Sequence, residues 1–133
     1  MKPQTLRRQL SIEATIALSL ARLAVKFVSA ERIVAWAARP PGYRDRFAAG
    51  RYVEAIVHAV DEIGSKPWMG AVCLPRAMAV QAMLRRRGIA GKLCLGAARD
   101  GSSLVAHAWI ELGDEIIIGG AEQPRYARLV SLG

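Results

Sequence analysis

Residues 92–118 read KLCLGAARDGSSLVAHAWIELGDEIII, and this stretch decides the fold class of the chain. Short apolar runs are separated by Asp-Gly and Gly-Asp pairs, which is the pattern of β-strands joined by hairpin turns. The predicted strands cover Lys92–Ala98, Ser103–Glu111 and Glu115–Ile118, and Tyr126–Leu132 is a candidate fourth strand. The last third of the chain is therefore predicted to form a small antiparallel sheet.

The chain before this stretch has the periodicity of helices, with apolar residues recurring every three or four positions. Gly and Pro mark the ends of several of these segments. The predicted helices cover Ser11–Ala30, Ala30–Ala38, Tyr52–Ile63 and Pro75–Arg87. Helices followed by an antiparallel sheet make an α+β fold.

Length and composition restrict the class of protein. A chain of 133 residues has the size of one domain. We predict a single domain over residues 1–133, with a helical part over 1–90 and a sheet part over 91–133. A hydrophobic content of 53% excludes a disordered chain. Two cysteines exclude a disulfide framework and favour a reducing compartment, so we expect a cytoplasmic protein.

The net charge of +8 leaves three classes of partner: nucleic acid, an anionic membrane surface, or an acidic protein or peptide. The positive charges are dispersed and the aromatic content is only 6%, which offers few platforms for stacking bases. We therefore expect no nucleic-acid partner. A basic nucleic-acid-binding module and a membrane-anchored structural role are the non-enzymatic alternatives.

The first predicted helix is the most apolar segment, but Glu13, Arg22 and Lys26 interrupt it. Neither a membrane span nor a signal peptide fits that pattern. One helical face carries Ile16, Leu20, Leu23 and Phe27. We interpret this face as packing into the core, so we expect no membrane contact. Docking to a partner or to a membrane surface is the alternative.

Cys73 is the first residue with potential chemistry. Proline is favoured in the first turn of a helix, so Pro75 places Cys73 at a helix N-terminus. The partial positive charge there favours a thiolate, and the backbone N–H groups can hold an oxyanion. At the far end, Arg85–Arg87 either complements the helix dipole in solvent or forms a basic docking surface. Cys94 lies in an apolar strand and is interpreted as a core residue.

His107 is the candidate partner of Cys73. It lies in a predicted strand between two alanines, which leave room for a substrate, whereas His58 lies in a helical segment and is interpreted as structural. A cysteine at a helix start followed by a strand histidine resembles the order in papain-like and transglutaminase-like thiol enzymes. No ligand-spaced His pair accompanies the cysteines, so no metal or other cofactor is expected.

Local motifs strengthen this resemblance. The run CLPRA over Cys73–Ala77, the basic helix end Arg85–Gly88 and the strand Ala106–Glu111 occur in this order. Together with the opening Ile12–Ala14, they resemble the lasso peptide leader peptidases, over roughly Trp68–Gly120. The resemblance implies a transglutaminase-like fold. It also implies a cysteine protease that removes the leader from a ribosomally made precursor peptide, with Cys73 as nucleophile and His107 as general base.

The resemblance also implies partners. Some members carry a fused peptide-recognition domain ahead of the peptidase. None is recognised here, so we expect the stand-alone form, in which a separate leader-binding protein presents the precursor peptide. An asparagine-synthetase-like cyclase would then close the macrolactam. Another transglutaminase-like amidohydrolase or acyltransferase is the alternative within the same fold.

The third catalytic position departs from the family pattern, which places an acidic residue on the strand after the histidine. A turn at Gly113–Asp114 would pair His107 with Gly119 or Gly120. Glu122 is a candidate for the role, and a backbone carbonyl, a water molecule or some other residue is the alternative. Glu111 lies ~13 Å along the strand from His107, too far to hold its ring.

Three further residues are candidates for substrate binding. Trp109 and Glu111 share a strand face with His107, and Trp68 precedes Cys73. The alternative for each tryptophan is a place in the core, and the alternative for Glu111 is a solvated strand position.

Overall fold

The computed structural model describes residues 3–38, 52–89, 91–112, 115–118 and 127–132. Within these residues, helices come first and strands follow. The helices are α1 (Pro3–Phe27), α2 (Ala30–Ala38), α3 (Val53–Gly64) and α4 (Cys73–Arg86). The strands are β1 (Lys92–Asp100), β2 (Ser103–Leu112), β3 (Glu115–Ile118) and β4 (Ala127–Leu132). The predicted α+β class is confirmed.

The strands form one antiparallel sheet in the order β3-β2-β1-β4. A tight turn at Gly101 joins β1 to β2, and its φ of 64° lies in the left-handed region that favours glycine. The candidate fourth strand is confirmed and pairs with β1, at the edge away from β3.

Helix α1 has two apolar stripes, and the prediction selected the wrong one for the core. The stripe through Ile16 and Leu20 is exposed, with Leu20 at 61% and Phe27 at 75%. The buried stripe consists of Leu10, Ala14, Leu18 and Ala21. Both stripes follow the helical period. The small alanines let α3 and α4 approach α1 closely, and that packing decides which stripe is buried.

A charged cluster fixes α1 to the end of α4. Arg87 donates two hydrogen bonds to the Glu13 carboxylate, at 2.9 and 2.8 Å, and Arg86 lies 2.8 Å from the same group. Partial burial on its own would raise the pKa of Glu13. The Arg87 hydrogen bond and the two positive charges outweigh burial, so the net pKa is lowered.

Arg85 holds a second helix, because its guanidinium donates to the carbonyl of Trp36 and lies 5.5 Å from the centre of that indole ring. The arginine run was predicted to be a solvated helix end or a docking surface. That prediction is wrong for Arg85 and Arg87, which act as interhelical contacts. Helix-end periodicity does not indicate the partner that a long side chain reaches.

Helix α4 packs on one face of the sheet through an apolar cluster that includes Leu84, Leu93, Ala108 and Ile110. Gly91 lies where this helix and the sheet come closest. A Cβ atom there would lie 2.9 Å from Gln81 Oε1, 3.0 Å from Leu84 and 3.2 Å from Ile110. The absence of a side chain at Gly91 therefore sets how closely α4 approaches β2.

Candidate active site

Cys73 is the first residue of α4, as the sequence predicts. Val72 precedes it in extended conformation, with φ −86° and ψ −173°. Pro75 is the third residue of the helix rather than the first, because a missing N–H is tolerated throughout the first turn. The first intrahelical hydrogen bond runs from the Arg76 N–H to the Val72 carbonyl at 3.2 Å.

The N–H groups near Cys73 can act on a substrate. Helix geometry supplies no carbonyl partner for the N–H groups of Cys73 and Leu74, which lie in the first turn. They are therefore positioned to donate to an anionic oxygen beside the thiol. The Cys73 side chain is half-buried and packs against the main apolar cluster.

Residues 65–72, which we call the Cys73 loop, connect α3 to Cys73 by a network of backbone hydrogen bonds. The Met69 and Gly70 N–H groups donate to the Lys66 carbonyl, at 2.9 and 2.8 Å. The Ala71 N–H donates to the Gly64 carbonyl at 2.9 Å, and Gly70 adopts a φ of 52°. This loop therefore has a defined conformation immediately before the helix.

The Cys73 loop directs apolar side chains in opposite directions. Met69 is buried and accepts a contact from Arg22 at 3.7 Å. Trp68 and Val72 are exposed, at 61% and 68%. The core alternative for Trp68 is therefore wrong, because Met69 occupies the buried position beside it. Trp68 is thus exposed, five residues before Cys73, and its role in substrate binding stays a prediction.

His107 lies on β2 and is buried, with 8% of its surface exposed. Its neighbour across the sheet on β1 is Gly96, which adds no side chain on that flank. The register between β1 and β4 shifts between Leu95 and Gly96. Register irregularities of this kind often occur next to active sites, where they redirect side chains.

His107, Trp109 and Glu111 share one face of β2, as strand alternation predicts. The imidazole and indole rings are stacked, with centroids 6.0 Å apart and an interplanar angle of 24°. The Trp109 Nε1–H donates to Glu111 Oε1 at 3.2 Å. Glu111 is thus linked to His107 through Trp109, a connection that the strand spacing did not reveal.

Trp109 is fully buried beside Cys94, its partner across the sheet. Cys94 is therefore a core residue, as interpreted from the sequence, and the full burial of Trp109 favours its core alternative over substrate binding. The buried indole of Trp109 therefore packs against one face of the His107 ring. Trp68, by contrast, is exposed. His58 lies on the surface of α3, 3.3 Å from Glu62 and away from this face.

The two candidate catalytic residues lie on elements that pack directly against each other. Cys73 packs against the apolar cluster between α4 and the sheet, to which β2 contributes Ala108 and Ile110. The His107 side chain leaves β2 on the opposite face, together with Trp109, so the structure does not bring the side chains of Cys73 and His107 together.

The structure describes only part of the region in which a third catalytic residue was predicted. Leu112 pairs with Glu115 and Glu111 with Ile116, and the register shifts between Ile110 and Glu111. The turn predicted at residues 113–114 lies outside the described residues. Gly119, Gly120 and Glu122 lie outside the described residues. Within the described part of the chain, no group of three or more His, Cys, Asp or Glu side chains could hold a metal ion.

A family comparison agrees with this architecture. A protein-family model, described as the transglutaminase-like superfamily, matches residues 14–131 of the chain. This range includes both Cys73 and His107. The chain belongs to the transglutaminase-like superfamily. No significant match is found to a curated protein or to a solved structure. The predicted transglutaminase-like fold is confirmed, and members of this superfamily are generally thiol-dependent enzymes, either cysteine proteases or acyltransferases.

A second surface feature lies on the exposed side of α1. An apolar groove of about 460 Å³, which we call the α1 groove, runs between α1, α2 and α4. Ile16, Leu20 and Trp36 line its walls, and Arg32 and Arg86 also line it.

No helix in the described part of the chain is long and apolar enough to cross a membrane.

Proposed function

We propose that this transglutaminase-like protein is a cysteine peptidase that removes the leader from a ribosomally made lasso peptide precursor. The observation that carries the proposal is the position of Cys73 as the first residue of α4, within a transglutaminase-like core that also holds His107 on β2. A helix N-terminus is one of the environments in which nucleophilic cysteines are found.

The proposed chemistry has two steps. In the substrate complex, His107 takes the thiol proton, and Cys73 Sγ attacks the carbonyl carbon of the scissile peptide bond. The first-turn N–H groups of α4 stabilise the oxyanion, and the C–N bond breaks as the imidazolium protonates the leaving amine. Water, deprotonated by His107, then attacks the thioester. The thiol is regenerated and the leader leaves with a free carboxyl group.

The environment of His107 suits a general base. Stacking on Trp109 restricts the ring, and the Glu111 hydrogen bond fixes the indole in turn. Such restraint reduces the entropy lost when proton transfer requires one ring orientation. A Cys–His pair needs less assistance than a hydroxyl nucleophile, because the thiol is intrinsically more nucleophilic.

The assignment to lasso peptide maturation rests on the sequence resemblance. The basic end of α4, one of the motifs in that resemblance, is weaker evidence for function than the sequence suggests. Arg85 and Arg87 form contacts between helices. The resemblance therefore depends on Cys73–Ala77 and on Ala106–Glu111.

A separate leader-binding protein is part of this proposal, and the α1 groove is its proposed docking surface. The groove combines apolar walls with the guanidinium group of Arg32 and with the ion pair between Arg86 and Glu13. That chemistry complements an acidic amphipathic segment, and the net charge of +8 favours an acidic partner. A concave site accepts a protein ridge better than a flat lipid surface. The cyclase would act afterwards on the freed N-terminus.

The test uses the full chain with a candidate lasso peptide precursor and a candidate leader-binding protein. Mass spectrometry in water enriched in ¹⁸O identifies the products. The proposal expects a leader that gains one ¹⁸O atom at its new carboxyl group and a core peptide with a free amine. A leader joined to an added amine would instead indicate an acyltransferase. An intact precursor would contradict the proposal.

A further inference from the structure

We infer that Arg76 is a positioning residue that clamps the Cys73 loop and so sets the direction of the nucleophile. The inference rests on the proposed function of Cys73 and concerns how that residue is held. Arg76 lies one turn into α4, three residues after the cysteine.

The guanidinium of Arg76 connects three points on the path from α3 to α4. Its Nε donates to the Ala71 carbonyl at 2.8 Å, and Nη2 donates to Ser65 Oγ at 3.2 Å. Its Nη1 lies 3.5 Å from Asp61 Oδ1 in the last turn of α3. One planar group thus holds the beginning and the end of the Cys73 loop together.

The surrounding backbone is adapted to this side chain. Gly64, the last residue of α3, lies beside the guanidinium, and a Cβ atom there would be 3.0 Å from Arg76 Nε. Glycine at this position allows the arginine stem to pass close to the backbone. The Arg76 side chain is only 28% exposed, so its hydrogen bonds are partly shielded from water.

Helix stability does not account for a cation at this place. A positive charge in the first turns of a helix opposes the helix dipole, and no acidic residue lies in the first turn of α4 to offset it. All three recorded contacts of the guanidinium point back to α3 and the loop. The side chain of Arg76 therefore stabilises the conformation of the Cys73 loop rather than the helix in which it lies.

The Ala71 carbonyl links this clamp to the chemistry. Ala71 is two residues before Cys73, so the orientation of its peptide group sets the path of Val72 into the helix. That path sets the direction of the Cys73 N–H and of the Cα–Cβ bond. A displacement of about 1 Å at reacting atoms can lower a rate about 100-fold. Lysine has a single ammonium group and cannot reproduce the planar, multi-acceptor contact.

The test compares Arg76→Lys with Arg7→Lys in the full chain, using leader removal from the precursor peptide. Arg7 also contacts α3, 3.5 Å from Glu62, but lies away from the Cys73 loop. We expect Arg76→Lys to lower kcat about 10- to 100-fold, with KM changed less than about threefold. Arg7→Lys should leave both values near wild type.

A milder variant covers the case in which Arg76→Lys does not fold. Ser65→Ala removes one acceptor from an exposed position and should lower kcat about two- to fivefold at unchanged KM. The folded fraction of each variant is measured by circular dichroism. A kcat per folded molecule equal to wild type in both variants would overturn the inference. Full activity in Cys73→Ala would instead overturn the proposed function, so the two failures are distinguishable.

Discussion

The imidazole of His107 stacks on the indole of Trp109, with ring centroids 6.0 Å apart and planes inclined by 24°. The indole is completely buried and is held at its Nε1–H by Glu111. A carboxylate four residues from the histidine therefore restrains it through an aromatic ring. In the proposed mechanism, this restraint limits the orientations of the general base.

Trp109→Phe tests that restraint, because it keeps an aromatic ring beside His107 and removes the Nε1 donor together with part of the buried ring volume. A hydrogen bond to a charged acceptor contributes about 1.5 kcal/mol, so we expect kcat for leader removal to fall roughly tenfold. Glu111→Gln is the matched control, since its amide oxygen still accepts the bond, and it should lose less than about threefold. Equal losses in both variants would contradict an effect through Trp109.

Glu13→Gln tests the contact between α1 and the end of α4. We expect it to lower the free energy of unfolding at pH 7 by about 1–2 kcal/mol, because Arg87 loses a half-buried ionic partner. Glu62→Gln, which breaks more exposed pairs with Arg7 and His58, should cost about 0.5 kcal/mol or less. Urea unfolding measures both values.

The pH dependence of the same pair has a defined sign. The pKa of Glu13 is lowered in the folded state from its ordinary value of 4.5. Its stabilising contribution is therefore complete well above pH 4.5 and is lost as the pH falls through the lower, folded pKa. The stability difference between wild type and Glu13→Gln should shrink below pH 4.5. A difference that grows on acidification would contradict this account.

Leu20→Glu tests the α1 groove as the docking surface of the leader-binding partner. Leu20 is exposed, so the free energy of unfolding should change by less than about 0.5 kcal/mol. The partner concentration that gives half-maximal cleavage should rise about tenfold or more, which corresponds to a loss of about 1.4 kcal/mol in binding. The rate of Cys73 alkylation without partner should not change.

Val25→Glu is the control for Leu20→Glu, because it places the same charge on an exposed valine of α1 that does not line the groove. If both variants weaken the partner equally, net charge rather than the groove governs docking. If neither does, the partner binds elsewhere.

Gly91→Ala tests the close approach of α4 and the sheet. The added methyl group would lie 2.9 Å from Gln81 Oε1 and 3.2 Å from Ile110, both in the buried interior. Overpacking of this kind costs about 1–3 kcal/mol, and thermal unfolding should report it as a lower Tm. An unchanged Tm would show that the interface adjusts without strain.

Much of the fold could be predicted because local signals agree with it. Gly101 and Pro75 marked the turn between the first two strands and the start of α4 from the types of residue alone. Burial of α1 could not be predicted, because Leu18 and Leu20 lie on two stripes with the same period. Only the alanines that allow close helix packing distinguish them, and their effect depends on α3 and α4.

The candidate site divides in the same way. The positions of Cys73 at a helix start and of His107 in a strand could be predicted, because each residue lies in a local sequence motif. The hydrogen bonds from Arg76 to Ala71 and from Trp109 to Glu111 could not be predicted from the sequence. Both depend on side-chain directions, which residue spacing does not determine.

The central claim is that Cys73 is the nucleophile, and leader removal by Cys73→Ala and Cys73→Ser tests it most directly. The assay contains saturating leader-binding partner, and Cys94→Ala serves as the control for loss of a thiol. We predict that both Cys73 variants lose at least about 1,000-fold in kcat while remaining folded, because the covalent step requires the sulfur atom. Cys94→Ala should retain most of its activity per folded molecule. Undiminished cleavage by folded Cys73→Ala would contradict the account.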